Sequence, residues 1–211
     1  MSRRLLLLRH AKSAWPDLPD HERPLAKRGR RDAPAVGRWL REAGLMPDRV
    51  LCSTARRTRE TWQLMVPELG TRPPPVSYQD QVYEAHCEAL LDLARQTEPA
   101  ASSMLIIGHN PGVQDLALML AAAADGDTDA VLLQRATAKF PTGSVAVLAF
   151  AGAWSRLGPG RAQLIIFVTP SDLRREISSR DLPTHQRSST AARLSRGESP
   201  DQRPHRCRSP G

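Results

Sequence analysis

An α/β fold, a three-layer α/β/α sandwich around a central, mostly parallel sheet, is predicted by three features of the sequence. Strand-like and helix-like segments alternate along the chain from residue 4 to residue 168. Two of the strand candidates, LLLL at 5–8 and SMLII at 103–107, are short and unbroken by charge, the pattern of strands buried on both faces. The candidates also end abruptly on chemically useful residues, at Arg9 and His10, at Ser53, and at Gly108 and His109. Open α/β sheets do their chemistry in the loops at the carboxyl ends of such strands.

In chain order, residues 4–8 form the first strand, and residues 26–43, closed by Gly44, follow as a helix. Val50, Leu51 and Cys52 make a short strand that runs into a helix over 55–68. A Pro-rich turn at 72–75 leads to an extended piece at 76–78 and a helix over 86–96. The strand at 103–107 passes through a Gly-led turn into a helix over 112–123, and strands at 144–150 and 163–168 flank a loop around Trp154 to Gly160. No internal repeat is visible.

With 211 residues, 40% of them hydrophobic, the chain can bury one good core but hardly two. One domain over 1–174 and an appendage over 175–211 are expected. From Ser171 onward large apolar side chains nearly vanish and Arg, Ser and Pro take over, a composition that cannot offset the entropy of ordering, so a disordered tail is expected. Nine arginines against five acidic residues place about half of the formal +8 charge there. The core is only mildly basic. Nucleic-acid binding would rest on this aromatic-free tail and is disfavoured as a partner class. No stretch is long and apolar enough to span a bilayer, and the N-terminus lacks an h-region with a small-residue cleavage site, so a cytoplasmic protein with no membrane partner is expected. Cys52, Cys87 and Cys207 are odd in number and far apart, which reads as free thiols and neither a disulfide framework nor a zinc site.

Three strand ends offer a common chemistry. Arg9 and His10 end the first strand. In CSTARRTRET, Ser53 ends the second, with Arg57 and Thr61 one turn apart on the helix that follows. In IIGHNPG, His109 follows the strand at 103–107 and enters a turn whose amides can face an anion. Brought together, these residues make a cationic pocket holding a histidine, which suits phosphoryl transfer: guanidinium groups clamp the equatorial oxygens and a neutral imidazole attacks phosphorus. Neighbouring guanidiniums also disfavour imidazolium and so keep His10 nucleophilic. His109 would be a second donor, charged when phosphate is bound. The sequence has no Asp/Glu cluster for magnesium, and no metal or other cofactor is expected.

LRHAKS at 8–13, Ser53–x–Ala55–x–Arg57 with Thr61, and GHNP at 108–111 together resemble the histidine phosphatase superfamily. Within it the chain is similar to the short branch of phosphohistidine phosphatases typified by bacterial SixA. DHERPLAKRGRRDA, VYEAH, KFPTGSVAVL and FVTPSDL extend the resemblance over roughly residues 3–174. It implies a phosphoglycerate-mutase-like sandwich, a phospho-His10 intermediate, a phosphate pocket of Arg9, Arg57 and His109, and a monomer. Arg-His-Ala in place of the commoner Arg-His-Gly is a marker of this branch. The chain lacks the added segments by which mutases of the superfamily recognise substrate, so an open pocket accepting a phosphorylated protein is expected, with a small phosphoester as the alternative substrate and a non-catalytic phospho-binding module as the alternative role.

Other residues are less determined. Glu84 in VYEAH is the leaving-group acid by position and Glu88 the second choice, while a solvated loop carboxylate explains Glu84 equally well. Ser53 orders its turn or donates to phosphate. Lys12, Ser13 and Asn110 are candidates for the mouth of the pocket and substrate binding; His86 and Arg59 read as surface residues, and Cys52 as packing.

Overall fold

A computed structural model describes residues 2–70, 72–121 and 130–180. Its strands are β1 (Ser2–Arg9), β2 (Arg49–Ser53), β3 (Val76–Gln79), β4 (Ser103–Gly108), β5 (Val145–Ala151) and β6 (Gln163–Val168), and they lie in the order β3-β2-β4-β1-β5-β6. β3, β2, β4 and β1 are parallel neighbours, and β5 runs antiparallel between β1 and β6. The helices are α1 (Lys27–Glu42), α2 (Arg56–Met65), α3 (Cys87–Arg95), α4 (Gly112–Ala121), α5 (Ala130–Ala138) and α6 (Pro170–Arg180).

The four consecutive leucines serve two cores. Side chains alternate across a strand, so Leu5 and Leu7 enter the cluster with Leu90, Val113, Leu116 and Leu120 of α3 and α4. Leu6 and Leu8 enter the opposite cluster with Val36, Leu40, Trp62 and Met65 of α1 and α2. All four are at most 1% exposed, and each contributes roughly 2 kcal/mol of burial free energy, an upper estimate for an extended unfolded chain. β1 is thereby the central strand of the layered α/β/α sandwich, and its partner register puts Arg9 opposite Gly108, next to His109.

Two glycines set how closely helices approach the strand ends. A Cβ built on Gly29 of α1 would sit 2.2 Å from the Lys12 carbonyl oxygen, and one on Gly112 of α4 would sit 2.0 Å from that of Ala85. Only a residue without Cβ allows α1 to press on the segment after His10 and α4 on the segment after Tyr83.

The elements differ from expectation in explicable places. α2 stops at Met65 and continues as a 3-10 turn over Val66–Glu68, because Pro67 has no N–H to extend the α-helical ladder. β1 starts at Ser2, two residues early, since β5 offers pairing as far as Ala151. α5 was not foreseen: its weakly patterned AVLLQRATA buries little beyond Ala136. α6 reaches Arg180, while Met1–Arg174 form one compact unit. The rest of the expected tail, with Cys207, lies outside the described residues. Among those described, no helix is long and apolar enough to cross a membrane.

Candidate active site

The three strand ends meet. His10 leaves β1 with its amide donating to the Gly108 carbonyl at 3.0 Å, while its own carbonyl accepts from the Gly143 amide at 3.0 Å. Thr61 ties this segment to α2, accepting from the Ala11 amide at 3.0 Å and donating to the Arg57 carbonyl at 2.6 Å. The His10 and His109 ring centroids are 5.2 Å apart, and both residues are buried, as is Arg57.

His10 is held in one tautomer. Its Nδ1–H donates to the Ala11 carbonyl at 2.7 Å, which leaves the Nε2 lone pair for chemistry. Burial pushes its pKa down to about 3; the Ala11 bond opposes this, and the charges of Arg57, Arg9 and Arg23 reinforce it. The imidazole is therefore neutral at pH 7.

His109 is neutral as well, lowered to about 2 by burial first and then by His10 and Arg57. Its Nδ1 accepts from Arg57 Nη2 at 3.2 Å, so the proton sits on Nε2 and is donated to Ser53 Oγ at 2.8 Å. Ser53 Oγ also accepts from the Ala55 amide at 3.3 Å, which fixes the turn into α2. Ser53 thus orders both the turn and the His109 ring.

Arg57 is fixed by residues that sequence reasoning did not select. Nη1 donates to the Asp20 carbonyl oxygen at 2.6 Å and Nη2 to Asp20 Oδ2 at 2.8 Å. The same carboxylate accepts from Arg23 Nη1 at 2.6 Å and from the Tyr83 hydroxyl at 2.9 Å. Burial works against a charge on Asp20, but the bonds from Tyr83, Arg23 and Arg57 outweigh it and hold the carboxyl at about 2. The Tyr83 ring stands edge-on to His109 at 5.4 Å. Asp20, Arg23 and Tyr83 all lie within segments that carried the family resemblance, DHERPLAKRGRRDA and VYEAH. The signal that could have found Asp20 is the need of a clustered set of arginines for a counter-charge.

Arg9 and Asn110 share a corner of the site. Arg9 Nη1 and Asn110 Nδ2 both donate to the Phe140 carbonyl, at 2.8 and 3.3 Å, and Asn110 also bonds Gln114. Arg9 Nε, Asn110 Oδ1 and Ser144 Oγ are buried with no partner among the described residues. Burial lowers the Arg9 pKa.

The remaining candidates stand apart. Glu84 follows Tyr83 with a left-handed φ of 52°, is exposed, and makes no hydrogen bond to His10, Arg57 or His109 among the described residues. Glu88 and His86 are exposed too. Lys12 is exposed; its backbone carbonyl receives the Ala26 amide at 2.8 Å, and its ammonium makes no hydrogen bond to His10, Arg57 or His109 among the described residues. Ser13 is buried and accepts from Arg23 Nη2 at 3.0 Å. Arg59 is half-buried, not the exposed residue expected. Cys52 is buried in the α1–α2 core, and burial pushes its thiol up to about 12, in keeping with packing.

Comparison with known proteins gives four matches of note. The sequence profile of the histidine phosphatase superfamily (branch 1) matches residues 5–105. An uncharacterised protein of Mycobacterium tuberculosis is 40% identical over 164 residues, covering 77% of this chain and 99% of that one. Among solved structures, a Nakamurella multipartitia protein named as a phosphohistidine phosphatase, SixA, superposes with a TM-score of 0.71 at 32% identity, over 81% of this chain and 97% of that one. One from Agrobacterium tumefaciens, named in the same way, does so with 0.64 at 30% identity, over 80% and 98%.

Proposed function

Because the chain belongs to the histidine phosphatase superfamily, in its SixA-like branch, we propose that it is a phosphatase working through a phospho-His10 intermediate, with a phosphohistidine or other phosphoprotein as substrate. The observation that supports this most strongly is the His10 ring. It is neutral, anchored through Nδ1 to Ala11, and set beside Arg57 and His109 with Nε2 uncommitted.

The first step forms a bond between His10 Nε2 and phosphorus while the bond from phosphorus to the leaving atom breaks. Arg57 has five N–H donors, of which three are used on Asp20 and His109; two can serve phosphoryl oxygens, Nε–H and, once His109 is displaced, the Nη2–H it now holds. Arg9 adds charge beside His10, and its buried Nε has no partner among the described residues. His109 reaches the same centre once phosphate takes over the bond to Arg57, which would free its Nδ1 to take a proton. In the second step a water oxygen bonds to phosphorus as the bond to Nε2 breaks, giving inorganic phosphate and neutral His10. The guanidiniums neutralise the oxygens throughout, so the scheme calls for no metal ion.

Among the described residues, neither carboxyl near the site is placed to act as a leaving-group acid. Asp20 is held as a carboxylate at about 2 and cannot donate, and Glu84 is exposed and unattached to the pocket. An alkoxide leaving group needs a positioned proton donor. A phosphohistidine whose other ring nitrogen already carries a proton from solvent departs as neutral imidazole and needs no such donor, which favours phosphohistidine over an alkyl phosphoester. A panel of phosphohistidine, phosphoserine, phosphotyrosine and small-ester substrates tests this with the wild-type chain and His10→Ala. Turnover led by phosphohistidine and lost in the variant supports the reading; turnover that survives in His10→Ala overturns it.

A further inference from the structure

A cavity of about 380 Å³ is lined in part by Lys139 and Pro141 and has no role in the chemistry above. Its walls are Pro141, Phe167 and Pro170, and Arg28, Arg135 and Lys139 stand around it. The charge there is unbalanced. Asp32 serves Arg28 at 3.3 Å, Arg31 at 3.9 Å and Arg174 at 3.0 Å, and Asp172 serves Arg135 at 2.7 Å. Four arginines thus share two carboxylates, and Lys139 in the cavity lining has no carboxylate partner among the described residues.

The cavity is one loop away from His10. Lys139 and Pro141 flank Phe140, whose carbonyl holds Arg9 and Asn110. Two residues on, the Gly143 amide donates to the carbonyls of both Arg9 and His10, and a Cβ built on Gly143 would lie 2.9 Å from Pro170 in the cavity wall. The cavity wall is therefore tied through one loop to the backbone that carries Arg9 and His10.

We propose that this cavity is a specificity subsite for a protein substrate, receiving Asp or Glu side chains that flank the phosphorylated residue. The inference rests on the phosphatase reading and adds the kind of substrate. The cations suit carboxylates on a mobile chain: Arg28 and Arg135 are 50% and 43% exposed, so they remain hydrated, whereas a second phosphate is gripped best by buried, preorganised forks like that of Arg57. A polypeptide also accounts for a second rim of the catalytic pocket. The segment carrying Asp20 exposes Trp15 (78%) and Leu18 (46%), with the Arg23 guanidinium stacked 3.2 Å from the Trp15 ring centroid. An exposed tryptophan stacked on an arginine is a typical anchor for a macromolecular partner.

The test compares two phosphopeptides bearing the same phosphorylated residue, one flanked by Asp/Glu and one by Ser/Ala, on the full chain and on Lys139→Glu and Arg28→Gln. Lys139→Glu should raise KM for the acidic peptide about ten-fold and leave para-nitrophenyl phosphate and the neutral peptide within about two-fold. Thermal melts identify any variant that is merely unfolded, and Arg28→Gln then serves in place of the other. Equal losses on both peptides, or no change on either, would overturn the proposal. A separate arm measures anisotropy of an unphosphorylated Glu-rich peptide, which should bind in low salt and bind less to Lys139→Glu. This arm decides the cavity's role even if no substrate is turned over, an outcome that would sink the phosphatase reading alone. Pyrophosphate or RNA displacing the peptide at far lower concentration than free glutamate peptides would assign the cavity to another ligand and overturn the proposal too.

Discussion

Replacing Arg57 with alanine removes three hydrogen bonds that the folded chain makes and two donors that the substrate would use. The structural cost is moderate. Asp20 keeps Arg23 and Tyr83, and His109 Nδ1 is left without its donor, which costs about 1–3 kcal/mol for a buried acceptor. The catalytic cost is larger. Each oxyanion donor lost is worth about 3 kcal/mol, so two of them amount to about 6 kcal/mol, or roughly 10⁴-fold in kcat/KM. Arg57→Lys returns a charge without the planar fork and should recover about 10²-fold of that loss. The assay is kcat/KM on para-nitrophenyl phosphate, with circular dichroism and a thermal melt to show that the fold persists. Arg57 also lowers the pKa of both His10 and His109, so both rings should titrate at higher pH in Arg57→Ala. A folded Arg57→Ala that loses less than about ten-fold in activity would refute the clamp.

Stability should fall on acidification below pH 6.5. The folded pKa values of His10 and His109, about 3 and about 2, lie below that of an unfolded histidine, so the unfolded chain binds more protons in this window. Their contribution is complete above about 6.5 and is lost as pH falls toward the folded values, at about 1.4 kcal/mol per pH unit for each ring. Urea melts from pH 7.5 to 5 should show this slope, and His10→Gln should flatten it by about half. Proton NMR of the rings should show neither titrating between pH 5 and 8; a midpoint near 6.5 would contradict their burial. Thr61→Val leaves the Ala11 amide unpaired and should cost about 1–3 kcal/mol in a urea melt together with about ten-fold in kcat, a pairing that an undisturbed site would not give. Gly29→Ala places a methyl 2.2 Å from the Lys12 carbonyl oxygen and should destabilise by about 1–3 kcal/mol; an unchanged melting temperature would mean that α1 does not press on the segment after His10.

Much of this was legible in the sequence because it depends on local pattern. Residues 5–8 announced a central strand, and the residues ending three strands come together because strand polarity in a parallel sheet carries those ends to one edge. What was not legible depends on pairs far apart in sequence. Asp20 meets Arg57 across 37 residues and Tyr83 across 63, and no periodicity links them. The tautomers of His10 and His109 are set by the Ala11 carbonyl, Arg57 and Ser53, which only the assembled pocket defines. α5 escaped notice because a helix that buries so little of itself leaves almost no apolar stripe.

The central claim is that phosphorus is handed to an uncharged imidazole at the tip of β1. Rapid quenching in alkali after mixing with labelled substrate, followed by peptide mapping, reads this out directly. An acid-labile, base-stable phosphate should appear on Nε2 of His10, formed and consumed at rates compatible with turnover. Label on Ser53 or on any other residue, or full turnover with His10 never modified, would contradict it.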